Sequence, residues 1–192
     1  MKNYISSLKA TLLIAAIIGT SSCMSNKPED TKEVAEEKNE QKFDNNNNEK
    51  DAQFLVNAAE INQEEISLGQ LAQQKGGFSH VKELGKMMEE EHTKSLADLT
   101  ALAQTKNISL PTSQTENGID AYKKLNNKSG NAFGKEYSSM MVKGHKKAIE
   151  LFEKASTDCT DPDIKAWATE TLPTLRTHLD HALMCQKECD KM

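Results

Sequence analysis

Between residues 52 and 190, apolar side chains recur at steps of three and four, the spacing that lines one face of an α-helix. The pattern predicts four helices. The first, near 52–75, sets Ala58, Ile61, Glu65, Leu68 and Ala72 on one stripe and stops at Gly76 and Gly77. The second, near 79–106, carries Leu84, Met88, His92, Leu96, Leu99 and Ala103. The third, near 131–157, carries Tyr137, Met141, His145, Ala148, Phe152 and Ala155. The fourth opens on Asp161 as cap, Pro162 at the first helical position and Asp163 in the first turn. Its face runs through Trp167, Thr171, Leu175, His178, Ala182, Cys185 and Cys189, and Pro173 inside it is expected to kink or restart the helix.

The pattern therefore predicts an all-α fold, an antiparallel four-helix bundle over 51–190. Residues 107–130 join the second helix to the third, with a short helix expected around Asp120 to Leu125. Fully extended, that connection reaches roughly 75 Å, enough to run the length of a bundle. Up-and-down topology and a ferritin-like arrangement with one long crossover both remain open.

Each apolar stripe carries one ionisable residue: Glu65, His92, His145 and His178. Each lies within about two residues, or roughly 3 Å, of its helix midpoint, so all four are expected at one level whatever the helix directions. Buried carboxylates and imidazoles need partners. One transition metal, Zn(II), Fe(II), Mn(II) or Cu(II), would serve all four. A hydrogen-bonded polar core, with Glu65 bridging two imidazoles, is the alternative, and it implies a structural or protein-interaction module without metal.

Glu89 and His92 form the Glu-x-x-His spacing that di-iron bundles use twice. Here it occurs once, since Leu175 and Val142 stand three residues before His178 and His145, and a carboxylate-bridged iron pair is disfavoured. Glu90 and Glu91 read as solvated surface, with Glu91 able to orient an imidazole from behind. No catalytic residue is assigned.

Three cysteines fall in the helical region. Cys159 precedes the fourth helix and lies roughly 35 Å along it from Cys185, too far to bridge. Cys185 and Cys189 are one turn apart. With His181 or Met192 they form a candidate soft-metal or redox site; a strained or mixed disulfide, or free thiols, is the alternative.

The N-terminal region has a different character. Lys2 and Lys9 precede an apolar run from Ala10 to Ile18 that is followed by "GTSSC", the form of an export signal over 1–22 too short to span a bilayer. The ending is similar to a bacterial lipoprotein cleavage box, with Cys23 as the lipidated residue and Thr20 where Leu is commonest. A plain secreted protein with unmodified Cys23 is the alternative. Residues 23–50 are almost devoid of apolar side chains and are expected to be a disordered acidic tether.

The formal net charge is −5 for the whole chain and −7 once residues 1–22, with two lysines, are removed. No basic stripe is available to neutralise phosphates, so nucleic acid is excluded as a partner. The expected attachment is to a membrane through the lipid on Cys23.

Four stretches, "FLVNAAEINQEEISLGQLA" from Phe54, "EEEHTKSLADLTALA" from Glu89, "SGNAFGKEYSSMMVKGHKKAIELFE" from Ser129 and "LPTLRTHLDHA" from Leu172, resemble in this order the bacterial domain-of-unknown-function family 4142. The resemblance covers about 51–185. It implies a ferritin-like lipoprotein exported to the cell envelope, labelled an outer membrane protein, with no established activity. By position, Glu65 and the histidines His92, His145 and His178 match recurrent family residues. Where the family commonly has Asp, this chain has Gly134 and Gly144, so it lacks two carboxylates that could assist as acids.

Overall fold

The computed structural model describes residues 29–43 and 46–192; the expected signal segment 1–22 and Cys23 lie outside the described residues. Among the described residues the chain forms six helices and no strand. They are α1 (Thr31–Glu40), α2 (Asn46–Lys75), α3 (Ser79–Thr105), α4 (Glu116–Asn126), α5 (Gly130–Asp158) and α6 (Pro162–Asp190). None of them is long and apolar enough to cross a membrane.

Of the expected disordered tether 23–50, residues 23–28 and 44–45 lie outside the described residues, while 31–40 form α1 and α2 already begins at Asn46. The composition of α1 is polar, but polar side chains secure it. Asp30 caps it by accepting from the Lys32 amide at 2.7 Å, and Ala35 and Asn39 are buried. Asn39 exchanges two hydrogen bonds with the Ser109 backbone, donating from Nδ2 at 2.9 Å and accepting on Oδ1 at 2.7 Å. Lys32 donates to Glu60 at 2.5 Å. Burial alone would raise the pKa of Glu60, but hydrogen bonds from Lys32, Thr115 and Asn117 outweigh it and hold the carboxyl below its ordinary value.

Four long helices, α2, α3, α5 and α6, pack as two tight pairs, α2 with α3 and α5 with α6, and the pairs meet along α2 with α5 and α3 with α6. Directions follow from the contacts. Asn62 meets His92 and Gly69 meets Gly85, so α2 and α3 are antiparallel. Glu153 bonds Arg176 and Gly134 adjoins Cys189, so α5 and α6 are too. Phe54 touches Phe152 while Glu65 touches His145. His80 touches Cys189 while Lys106 reaches Asp163. Each long helix thus runs against both of its neighbours. The chain leaving α3 must travel the full length of the molecule to start α5, and α4, packed mainly on α2, lies in that passage.

The glycines at the α2–α3 crossing are required by contact. A Cβ on Gly69 would lie 2.6 Å from the Gly85 carbonyl oxygen, and one on Gly85 would lie 2.7 Å from that of Gly69. At the far end of the pair α5–α6, Asp161 caps α6 through the amides of Asp163 and Ile164. Buried Asp51 of α2 accepts from the Thr160 and Asp161 amides and the Thr160 hydroxyl, tying α2 to this turn. α6 passes Pro173 without restarting. Pro173 lies on the exposed side, where the carbonyl it leaves unbonded can be hydrated.

The interior has two apolar clusters. One centres on Phe54, Phe152 and Trp167, with ring centroids 5.0 to 5.8 Å apart; the other contains Leu68, Met88, Phe133 and Tyr137. The histidines belong to neither cluster.

Candidate metal centre

α3 supplies His92, α5 supplies His145 and α6 supplies His178, each no more than 3 % exposed. The helical steps that put them on apolar faces also put them opposite one another. Ring centroids are 5.2 to 5.5 Å apart, and one ring nitrogen from each lies within 4.8 Å of the others.

The hydrogen bonds behind two of these rings fix their tautomers. Asn62 Nδ2 donates to the Ala58 carbonyl at 2.9 Å, which turns Asn62 Oδ1 towards His92 Nδ1, also at 2.9 Å. His145 Nδ1 lies 2.9 Å from the Met141 carbonyl oxygen. Carbonyl oxygens only accept, so both rings carry their proton on Nδ1. The two Nε2 atoms are then bare lone pairs, yet they face each other at 3.4 Å. His178 Nδ1 is buried with no hydrogen-bond partner.

A bridging proton does not resolve this conflict near neutral pH. Burial, then the neighbouring His145 and His178, pushes the His92 pKa well below its ordinary value. Burial lowers that of His145 to about 4 against the opposing bond to Met141. Burial, then His145 and His181, takes His178 to about 4. Three neutral imidazoles with their free nitrogens turned inward are a donor set for Zn(II), Fe(II), Mn(II) or Cu(II).

Glu65 is placed differently from the expectation. It is buried, but its Oε1 lies 3.7 Å from His145 Nδ1, on the side of the ring turned away from His92, and it is not one of the grouped donors. The helix boundary explains the shift. α2 begins about six residues earlier than the periodicity suggested, which moves its midpoint back by about three residues, roughly 4.5 Å. Asn62 is therefore the α2 residue level with His92. Glu65 sits one turn on, with Oε2 buried and unpartnered, and burial, then Glu64, raises its pKa well above the ordinary carboxyl value. Glu89 faces away from the histidines and accepts from Gln70 and Gln73.

A second donor group lies towards the other end of α6. Cys185, Cys189 and His80 bring one ligand atom each within 4.8 Å of one another, and His80 Nε2 stands 3.4 Å from Cys189 Sγ. His181, expected with these cysteines, is not in the group. The buried stripe of α6 runs through His178, Ala182, Cys185 and Cys189, and His181 falls beside it on the exposed side. Met192, 47 % exposed, lies past the helix end. His80 was not singled out from sequence, because its pairing with Cys189 depends on α3 lying antiparallel beside α6. Cys159, Cys185 and Cys189 are all free thiols.

Fold and site together define an all-helical domain in which three helices converge on a layer of buried imidazoles. The chain belongs to the family described as Domain of unknown function (DUF4142), whose model matches residues 36–184. The match begins inside α1. No curated protein and no solved structure matches the chain.

Proposed function

We propose that the domain is a ferritin-like four-helix bundle that binds one transition-metal ion through His92, His145 and His178, in an exported protein anchored to the bacterial cell envelope, at the outer membrane, by lipid on Cys23. The bundle reading is supported by four antiparallel-neighbour long helices and a connection that spans their length. The anchor reading is supported by the apolar run from Ala10 to Ile18 and the "GTSSC" ending.

The observation that carries metal binding is the pair of facing Nε2 lone pairs at 3.4 Å, with each proton held on the far nitrogen by Asn62 or Met141. A polar core built for hydrogen bonding alone would place a donor between two acceptors. A cation fits two acceptors without any change of tautomer, and the Asn62 and Met141 contacts match the backing bonds that orient metal-ligating imidazoles. Glu65 adds a carboxyl behind His145. The proposed role is binding, and no catalytic role is assigned.

Elemental analysis tests the proposal. Protein purified from cells expressing the full chain should carry or take up about one equivalent of Zn(II), Fe(II), Mn(II) or Cu(II), and His92→Ala and His145→Ala should lose it while staying helical by circular dichroism. Wild-type protein that stays far below one equivalent with all four metals would refute it.

A further inference from the structure

We propose that His80, Cys185 and Cys189 form a separate binding site for copper(I), loaded through the surface cleft beside them. Three donors from two helices converge here: Cys185 and Cys189 one turn apart on the buried stripe of α6, and His80 from the first turn of α3. The site lies at the end of the molecule where α6 finishes, away from the central histidines, and shares no residue with them.

The chemistry of the donors selects the ion. Two thiols and an imidazole, with no carboxylate in the group, are a soft set. Three donors complete a trigonal Cu(I) centre, whereas a structural Zn(II) site calls for four. The approach is equally soft. A cleft of about 340 Å³ reaches Cys185 and His80 past Met87 and Met184, with Glu83 and Glu188 as its anionic residues to draw a cation in. Met184 is 56 % exposed, so a thioether stands at the entrance.

The fold keeps space at the sulfur. Gly134 of α5 faces Cys189, and a Cβ there would lie 3.1 Å from Sγ and 3.3 Å from Val81 Cγ2. His80 is held by Phe78, whose ring stacks on it at a centroid distance of 5.7 Å and an angle of 11°. Burial raises the thiol pKa of both cysteines, that of Cys185 to about 12, so without metal both are protonated. Binding of Cu⁺ therefore forms two Cu–S bonds and one Cu–N bond, releases two thiol protons to water and changes no oxidation state. Those protons make uptake steeper as pH rises.

Competition with the coloured copper(I)–bathocuproine complex, under anaerobic reducing conditions, measures this directly. Protein from cells expressing the full chain should withdraw one equivalent of Cu(I) more than Cys185→Ser does, and the same difference should persist between His145→Ala and the double variant His145→Ala/Cys185→Ser. His80→Ala, at a partly exposed position, should bind at least roughly tenfold more weakly. X-ray absorption at the copper edge should give two sulfur neighbours and one nitrogen. Three results would overturn the proposal: no withdrawal of copper by wild type, full wild-type uptake by both Cys185→Ser and His80→Ala, or preferential loading of Zn(II) from an equimolar mixture by His145→Ala, in which the central histidine site is disabled.

Discussion

The two donor groups of this molecule are built on opposite plans. His92, His145 and His178 are sealed between helices, and two of them have fixed tautomers because Asn62 and the Met141 carbonyl hold their outer nitrogens. His80, Cys185 and Cys189 sit beside an open cleft, and the backing of His80 is a stacked ring, which fixes a plane but not a proton. The buried group is organised before any ion arrives and is costly to protonate. The cleft group is reachable from solvent and must shed protons to bind. Access more than depth separates the two groups: Cys185 and Cys189 are as buried as the histidines, but His80 is partly exposed and lines the cleft together with Cys185.

Acid should break the comparison most visibly. In metal-free protein, His145 and His178 have folded pKa values of about 4 against an ordinary 6.5, so the unfolded chain binds more protons between those limits. Stability is then full above about pH 6.5 and falls as pH drops towards 4, by on the order of 3 kcal/mol for each of the two. His92 acts in the same direction. Glu65 acts in the other: its raised pKa gives stability that is full below 4.5 and lost as pH rises through the folded value, which partly offsets the histidines. Urea midpoints measured from pH 4 to 7 should show the slope. His178→Leu should remove close to half of the part due to His145 and His178. A flat profile in wild type, or a slope unaltered in His178→Leu, would contradict the assignment of the burial cost to the central layer.

Asn62 sharpens the same contrast at smaller scale. Asn62→Ala removes the acceptor that holds the His92 proton on Nδ1 while leaving the three imidazoles in place. Metal affinity at the central site should fall by about 10- to 100-fold, with Cu(I) uptake by the cysteines unchanged. Phe78→Ala, its counterpart behind His80, should weaken Cu(I) by only a few-fold, since a stacked pair is worth about 0.5–1.5 kcal/mol. Isothermal titrations of both variants with both metals provide the four numbers. If Asn62→Ala bound central metal as tightly as wild type, orientation by hydrogen bonding would not be what prepares that site.

How much of this was legible in the sequence depends on whether a feature is periodic. The three histidines were, because each stands on an apolar stripe whose steps of three and four fix both face and height. The exchange of Asn62 for Glu65 was not, because height was measured from a helix start, and α2 starts in "NNNEK", where nothing apolar announces a helix. α1 escaped for the same reason: it is held by Asn39, Asp30 and Lys32, and such polar pairings leave no periodic mark. His80 required the pairing of α3 with α6. The 107–130 connection could reach across the molecule, but only tertiary contacts say that it does.

The smallest contrast lies between two glycines of α5. A Cβ on Gly144 would meet Glu65 Oε1 at 2.9 Å, inside the approach limit of real side chains, whereas one on Gly134 would meet Cys189 Sγ at 3.1 Å and Val81 Cγ2 at 3.3 Å. Both positions are helical, so alanine brings each the same gain in helix propensity, about 1 kcal/mol. What differs is the obstacle. At Gly144 it is a buried carboxyl packed behind His145, and overpacking of about 1–3 kcal/mol should exceed the gain. At Gly134 the clash is milder, and gain and cost should nearly cancel. Gly144→Ala should therefore lower the urea midpoint and loosen metal at the central site without affecting Cu(I). Gly134→Ala should leave stability almost unaltered and weaken only Cu(I), by a few-fold. Equal responses would mean that the two sites are mechanically coupled through α5, and their treatment as independent groups would have to be abandoned.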